Sequence, residues 1–115
     1  MKEMIIIIRP EKLEKVKQIL DEAGAGGISI ANVMGCGTQR GLIMEPELQE
    51  MQTSVNLLPK IRVEIVVEDS KVEDIITNLR DKVATGHVGD GKIFIRNVED
   101  AVRIRTGERG NKALK

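Results

Sequence analysis

Residues 84–94 read ATGHVGDGKIF, and Gly86, Gly91 and Lys92 match G-x-x-x-x-G-K, the spacing of a phosphate loop, up to its last position. That position calls for a hydroxyl to hold magnesium, and here it is Ile93. The flanking pattern is also reversed. A loop of that class runs from strand into helix, so that the anion meets a helix N-terminus; here a helical period precedes the glycines and a strand pattern follows. Walker chemistry is therefore not expected. Gly86, Gly89 and Gly91 still free successive backbone N–H groups to converge on an anion, with Lys92 adding charge. The plainer reading is a flexible turn.

Further along, residues 101–105 (AVRIR) alternate. On a strand, Val102 and Ile104 would face inward while Arg103 and Arg105 share the other face, where two guanidiniums repel unless an anion lies between them. Each charge-assisted bond to a phosphate could contribute about 1.5–3 kcal/mol. A solvated edge strand is the plainer reading of that pair. Cys36 lies open between Gly35 and Gly37, but no neighbouring His or Asp would activate it, so a small half-buried residue is expected. A single cysteine forms no internal disulfide.

The elements that must position these groups follow from periodicity. Residues 4–8 are β-rich, and Pro10 suits the first turn of a helix whose stripe is Leu13, Val16, Leu20 and Ala23, closed by Gly24 in a left-handed cap. Residues 28–34 read as a second strand. Residues 41–58 carry no sustained period and include Pro46, which predicts a long loop. Residues 60–67 alternate, with Ile61, Val63, Ile65 and Val67 opposite Arg62 and Glu64. Residues 70–73 (SKVE) read as a capping box, opening a helix with the stripe Val72, Ile75, Ile76, Leu79 and Val83. Residues 93–97 supply a fourth strand. The order βαβ-loop-βαβ predicts an α+β, ferredoxin-like sandwich in one domain over 1–115, with both helices on one face of the sheet. The first strand is apolar on both sides, so Ile5 and Ile7 on the bare face need cover worth roughly 1.5–3 kcal/mol each. Other subunits are expected to supply it.

Composition narrows the function classes. Eighteen basic residues balance eighteen acidic ones, so no global field favours nucleic acid or anionic membrane. With one Phe and neither Tyr nor Trp, base stacking on aromatic platforms is excluded. No apolar run is long enough to span a bilayer and no signal-peptide pattern precedes the first strand, so a cytoplasmic location is expected.

Thr85 to Phe94 (TGHVGDGKIF) together with Val102 to Gly110 (VRIRTGERG) resembles the two signatures of the nitrogen regulatory P-II family. Residues 7–20 (IIRPEKLEKVKQIL), 35–41 (GCGTQRG) and 57–69 (LLPKIRVEIVVED) are similar to the family's opening and the flanks of its T-loop. The resemblance covers nearly the whole chain in order. It implies a non-enzymatic nitrogen, carbon and energy signal transducer: a homotrimer with ATP or ADP in clefts between subunits. The T-loop would run over about 37–58, the B-loop 84–92 and the C-terminal loop 101–115. Gly35, Cys36, Gly37, Thr38 and Gln39 would form the T-loop base against the nucleotide. Gly89, Asp90, Gly91 and Lys92 would surround the phosphates, and Arg103 and Arg105 would reach in from the neighbouring subunit. Ile7, Ser29, Glu64 and Val66 would line base and ribose. The resemblance further implies 2-oxoglutarate as effector, through Mg²⁺ on the ATP phosphates, with Gln39 as metal ligand, Lys60 pairing a carboxylate and the Gly41 backbone donating. Hard oxygen ligands suit that metal. The regulated partner would be an ammonium transporter, a nitrogen-assimilation enzyme or nitrogenase, with any membrane contact made through a transporter.

The chain departs from the family pattern at three places. Thr38 stands where Arg is common, and His87 where Lys is common. The T-loop has no tyrosine, which excludes control by uridylylation or adenylylation of one. Its text, LIMEPELQEMQTS over 42–54, sets Met and Leu beside Glu, a composition suited to an adaptable partner surface, and the divergence is similar to that of the nitrogenase-associated branch. Thr53 and Ser54 lie in no clear modification motif. Two alternatives stay open: an adaptor that binds adenine nucleotide without sensing 2-oxoglutarate, and a phosphotransferase using His87 as acceptor.

Overall fold

The computed structural model describes residues 1–36 and 57–115. Strand β1 (Lys2–Ile8) passes through a 3-10 turn at Pro10–Lys12 into helix α1 (Leu13–Glu22), followed by β2 (Ser29–Gly35). Further along the chain come β3 (Leu58–Val67), a second 3-10 turn (Asp69–Lys71), helix α2 (Val72–Lys82) and β4 (Lys92–Asn97). Gly37, Thr38, Gln39 and Gly41, with most of the expected T-loop, lie outside the described residues.

The end of α1 forms as its sequence predicts. Gly24 takes φ +75°. Its N–H bonds to the Asp21 carbonyl at 2.9 Å and the Ala25 N–H to that of Leu20 at 3.0 Å, the paired bonds of a Schellman cap. β3 starts at Leu58, ahead of the alternating run, and so includes Pro59. That proline stands opposite Met34 of β2, while the pairing of β3 with β1 begins only at Ile61, so its missing N–H costs no bond between β3 and β1.

The sheet order is β2-β3-β1-β4 with every neighbour antiparallel, the ferredoxin-like arrangement. The register sets Met4, Ile6 and Ile8 of β1 opposite Ile65, Val63 and Ile61 of β3, and all six are buried in the core with Val16, Ile19 and Leu20 of α1 and Ile75 and Leu79 of α2. The other face carries Ile5, Ile7, Lys60, Arg62, Glu64, Lys92 and Phe94 by the same period-two rule. On that face Ile7 is only partly buried, but Ile5 departs from expectation. Ile5 is already only 7 % exposed, since Phe94 and Glu64 stand directly opposite it on the two neighbouring strands. Phe94, at 52 %, is the side chain left wanting cover.

Two local expectations are corrected. The capping box does not form. Ser70 lies inside the 3-10 turn, neither it nor the helix behind it has a side-chain cap, and the Lys71 N–H bonds to the Glu68 carbonyl at 3.0 Å. The tighter turn satisfies that amide with backbone and leaves the hydroxyl no such role.

The alternating segment 101–105 is not a strand. Val102 bridges Arg109, the Arg103 N–H bonds to the Glu108 carbonyl at 2.9 Å and the Gly107 N–H to that of Arg103 at 2.7 Å. The chain folds back at Gly107 (φ +75°), so Val102 and Ile104 do not face inward, and Ile104 is wholly exposed. Alternation sorts residues onto two faces only where a sheet exists for them to face, and Thr106-Gly107 turns the chain before one does.

Candidate functional site

The segment between α2 and β4 is shaped by three left-handed glycines, Gly86 (φ +83°), Gly89 (+99°) and Gly91 (+110°). A Cβ on Gly91 would lie 1.7 Å from the Ile7 carbonyl oxygen, so only glycine lets the loop press against β1. Asp90 ties the loop together from within. Its carboxylate accepts from the N–H groups of Thr85 (2.7 Å) and Gly86 (2.9 Å) and from the Thr85 hydroxyl. The Thr85 hydroxyl bond is the main reason the Asp90 carboxyl is held below the usual carboxylate range. The two backbone bonds and the Arg9 charge assist, against a partial loss of solvent. Asp90 therefore serves as an internal clasp. A carboxylate aimed at phosphate would repel it.

Beside this loop, at the end of the bare sheet face, lies a cleft of about 290 Å³. Ile7 comes from β1, Gly35 and Cys36 from the end of β2, Leu58 and Lys60 from β3, Lys92 and Phe94 from β4, and Val88, Gly89 and Gly91 from the loop. The exposed Cys36 thiol is at its edge. Lys60 reaches across to donate to the Gly89 carbonyl at 2.8 Å. Among the residues expected from the sequence, Ile7, Gly35, Cys36, Lys60, Gly89, Gly91 and Lys92 are thus brought together. Arg9 was missed. It donates to the carbonyls of Gly89 and Val88, and a lone arginine beside Pro10 has no periodic signal to reveal that. Leu58, Val88 and Phe94 were also missed; they read as ordinary strand and loop residues.

Ser29, Glu64 and Val66 do not join that cleft. They line a second one of about 350 Å³ at the other end of the bare face, with Glu3, Gly27 and the C-terminal residues Ala113 and Leu114. Ile7 and Glu3 mark the two ends along β1, four residues and about 13 Å apart. Between them Arg62 donates to Glu64 at 2.6 Å.

The two arginines are not a matched pair. Arg105 is exposed on the hairpin. Arg103, 28 % exposed, folds back: Nη2 donates to the Lys112 carbonyl at 3.1 Å, while Nε lies 3.7 Å from the Glu108 carboxylate with no hydrogen bond. The hairpin brings neither guanidinium into the glycine-loop cleft of its own chain. His87 is exposed on the loop, and its backbone N–H bonds to the Thr85 hydroxyl at 3.3 Å.

Among the described residues, no group of three or more His, Cys, Asp or Glu side chains could hold a metal ion, and no helix is long and apolar enough to cross a membrane.

The comparisons with known proteins agree along the whole chain. Residues 1–108 match the family model described as nitrogen regulatory protein P-II. The nitrogen regulatory protein P-II 2 of Methanothermobacter thermautotrophicus is 46 % identical over 114 residues, covering 99 % of this chain and 97 % of its own length. The nitrogen regulatory protein P-II of Rhodospirillum rubrum is 44 % identical over 115 residues, covering 99 % and 100 %. A third relative, the nitrogen fixation nifHD region GlnB-like protein 2 of Methanothermobacter marburgensis, is 40 % identical over 121 residues, with the same coverage. A glycine loop pinned to β1, the ferredoxin-like sheet beneath it and this similarity lead to one conclusion: the chain belongs to the nitrogen regulatory protein P-II family.

Proposed function

We infer that the protein is a non-enzymatic signal transducer whose ligand is an adenine nucleotide, ATP or ADP, held between two copies of the chain. One observation carries this reading: a loop with left-handed Gly89 and Gly91 seated against β1, in one cleft with Lys92, Lys60 and the apolar floor of Ile7 and Phe94. Left-handed glycines form backbone concavities suited to phosphate oxygens, and the lysines add charge. The second cleft, with Ser29, Glu64 and Val66, offers a carboxylate and a hydroxyl for ribose and an apolar wall for the base. A neighbouring copy would set its second cleft and its exposed Arg105 against the glycine loop of the first, completing one site and covering Phe94. A homotrimer makes three such junctions.

Bound nucleotide would favour one T-loop arrangement over another, and the population decides whether a partner docks. The partner class is an ammonium transporter, a nitrogen-assimilation enzyme or nitrogenase; the relative named for a nitrogen-fixation gene region supports including the last. Mg²⁺ fits a polyphosphate site as a hard cation that takes most of its oxygens from the nucleotide, with Gln39 as the protein's contribution.

Calorimetry with ATP and with ADP, each with and without Mg²⁺ and 2-oxoglutarate, tests the reading. Saturable binding of both nucleotides, with ATP tightened by 2-oxoglutarate, is expected. An absence of nucleotide binding overturns it. A second reading retains nucleotide but not 2-oxoglutarate. It is favoured by Lys60, which donates to the Gly89 carbonyl where the first reading needs it to meet a carboxylate. Gln39→Ala separates the two: in the first it abolishes the 2-oxoglutarate response and spares ADP, while in the second there is no response to abolish.

A further inference from the structure

Arg9 stands between the end of β1 and Pro10, with its side chain 24 % exposed. Its guanidinium spans the glycine loop: Nε donates to the Gly89 carbonyl at 3.1 Å and Nη2 to the Val88 carbonyl at 2.5 Å. Nε also lies 4.0 Å from the carboxylate of Asp90, whose oxygens secure the start of the loop through Thr85 and Gly86. One planar cation thus holds two consecutive peptides, and one carboxylate closes the loop ahead of them.

The consequence lies on the other side of those peptides. A trans peptide aims its C=O and its N–H in opposite directions, and the chain has no cis bond. With the Val88 carbonyl held by Arg9, the N–H of Gly89 is fixed pointing away from it, while the Gly89 carbonyl is shared between Arg9 and Lys60. Val88, Gly89 and Gly91 line the cleft, and Arg9 does not.

We propose that Arg9 is a positioning residue for polyphosphate: it does not touch the anion, but presets the N–H group of Gly89 to receive it. The proposal rests on the nucleotide reading above. A loop with three left-handed glycines is permissive in isolation, and its ordering would otherwise be charged against binding. The Arg9 fork moves that ordering into folding. Lysine supplies a point charge in place of a rigid two-pronged donor, so it can replace the fork only in part.

Calorimetry of ATP, ADP and AMP binding to the full chain, as wild type, Arg9→Met and Arg9→Lys, tests this, with thermal midpoints recorded. Arg9→Met is expected to weaken ATP about tenfold or more, the scale of a lost charge-assisted contact, with ADP affected less and AMP least. Arg9→Lys recovers part of the loss. ATP affinity unchanged in Arg9→Met overturns the proposal, and so does an equal loss for all three nucleotides, which marks a loosened fold. Wild-type protein that binds no ATP overturns the nucleotide reading and this role with it. Should Arg9→Met fail to fold, the wild type decides by NMR. The coupling across the hydrogen bond from Arg9 Nε–H to the Gly89 carbonyl persists at saturating ATP if Arg9 positions the loop. Its loss on ATP addition means that Arg9 leaves the loop for the ligand.

Discussion

At the scale of single residues, Gly91 and Asp90 govern the loop by different physics. Gly91 combines φ +110° with a Cβ position 1.7 Å from the Ile7 carbonyl oxygen. Gly91→Ala therefore incurs about 1–3 kcal/mol of backbone strain, and the contact with β1 must open as well. A lowered denaturation midpoint together with loss of nucleotide binding is expected; unchanged values for both would show the close approach to be dispensable. Asp90 acts through charge. Its folded pKa is depressed by the Thr85 hydroxyl and the backbone donors. Its contribution is therefore complete above the ordinary carboxylate value of about 4 and is lost as pH falls through the lower folded value. Amide exchange at Thr85 and Gly86 should accelerate in that acid window beyond the trend of the rest of the chain. Asp90→Asn, which removes the titration, should show faster exchange at neutral pH and no acid step.

At the scale of elements, the C-terminal 3-10 turn (Gly110–Leu114) is held by close backbone contact. A Cβ on Gly26 would lie 2.0 Å from the Leu114 carbonyl oxygen. Gly26→Ala should lift this turn from the sheet, disturb the cleft of Ser29, Glu64 and Val66, and loosen the Arg103 bond to the Lys112 carbonyl. The core lies elsewhere, so global stability should change little while proteolysis within 108–115 rises. Equal resistance of variant and wild type would refute the contact. These elements also show what a sequence can disclose. The strands and helices were legible because Val63, Ile65, Val16 and Ile75 recur with the period of the surface they bury. The Gly24 cap was legible because few residues but glycine take its backbone angle. Residues 101–105 misled because period two is silent about whether a partner strand exists. SKVE misled because a 3-10 turn took over the amide bonding. Arg9 stayed hidden because its partners, Val88 and Gly89, are some eighty positions away and are bound through carbonyls, which every residue has.

At the scale of the molecule, the bare sheet face carries two incomplete clefts about 13 Å apart, with the Arg62–Glu64 pair between them and a half-exposed Phe94 nearby. One has the glycine loop and lysines, and the other has Ser29, Glu64 and the C-terminal residues beside the hairpin that bears Arg105. The proposed head-to-tail ring of copies would lay one kind of cleft against the other at every junction, bury Phe94 and leave no cleft unmatched. Subunit mixing tests this composition directly. Lys92→Glu spoils the first kind of cleft and Arg105→Glu the second, so each variant alone should lose ATP binding. When the two are refolded together in equal amounts, a junction pairing an intact glycine-loop cleft with an intact Arg105 arises at about one site in four. Calorimetry of the mixture should therefore recover wild-type affinity at about a quarter of the wild-type stoichiometry. A site confined to one protomer recovers nothing under the same mixing, because no single chain then carries both intact halves.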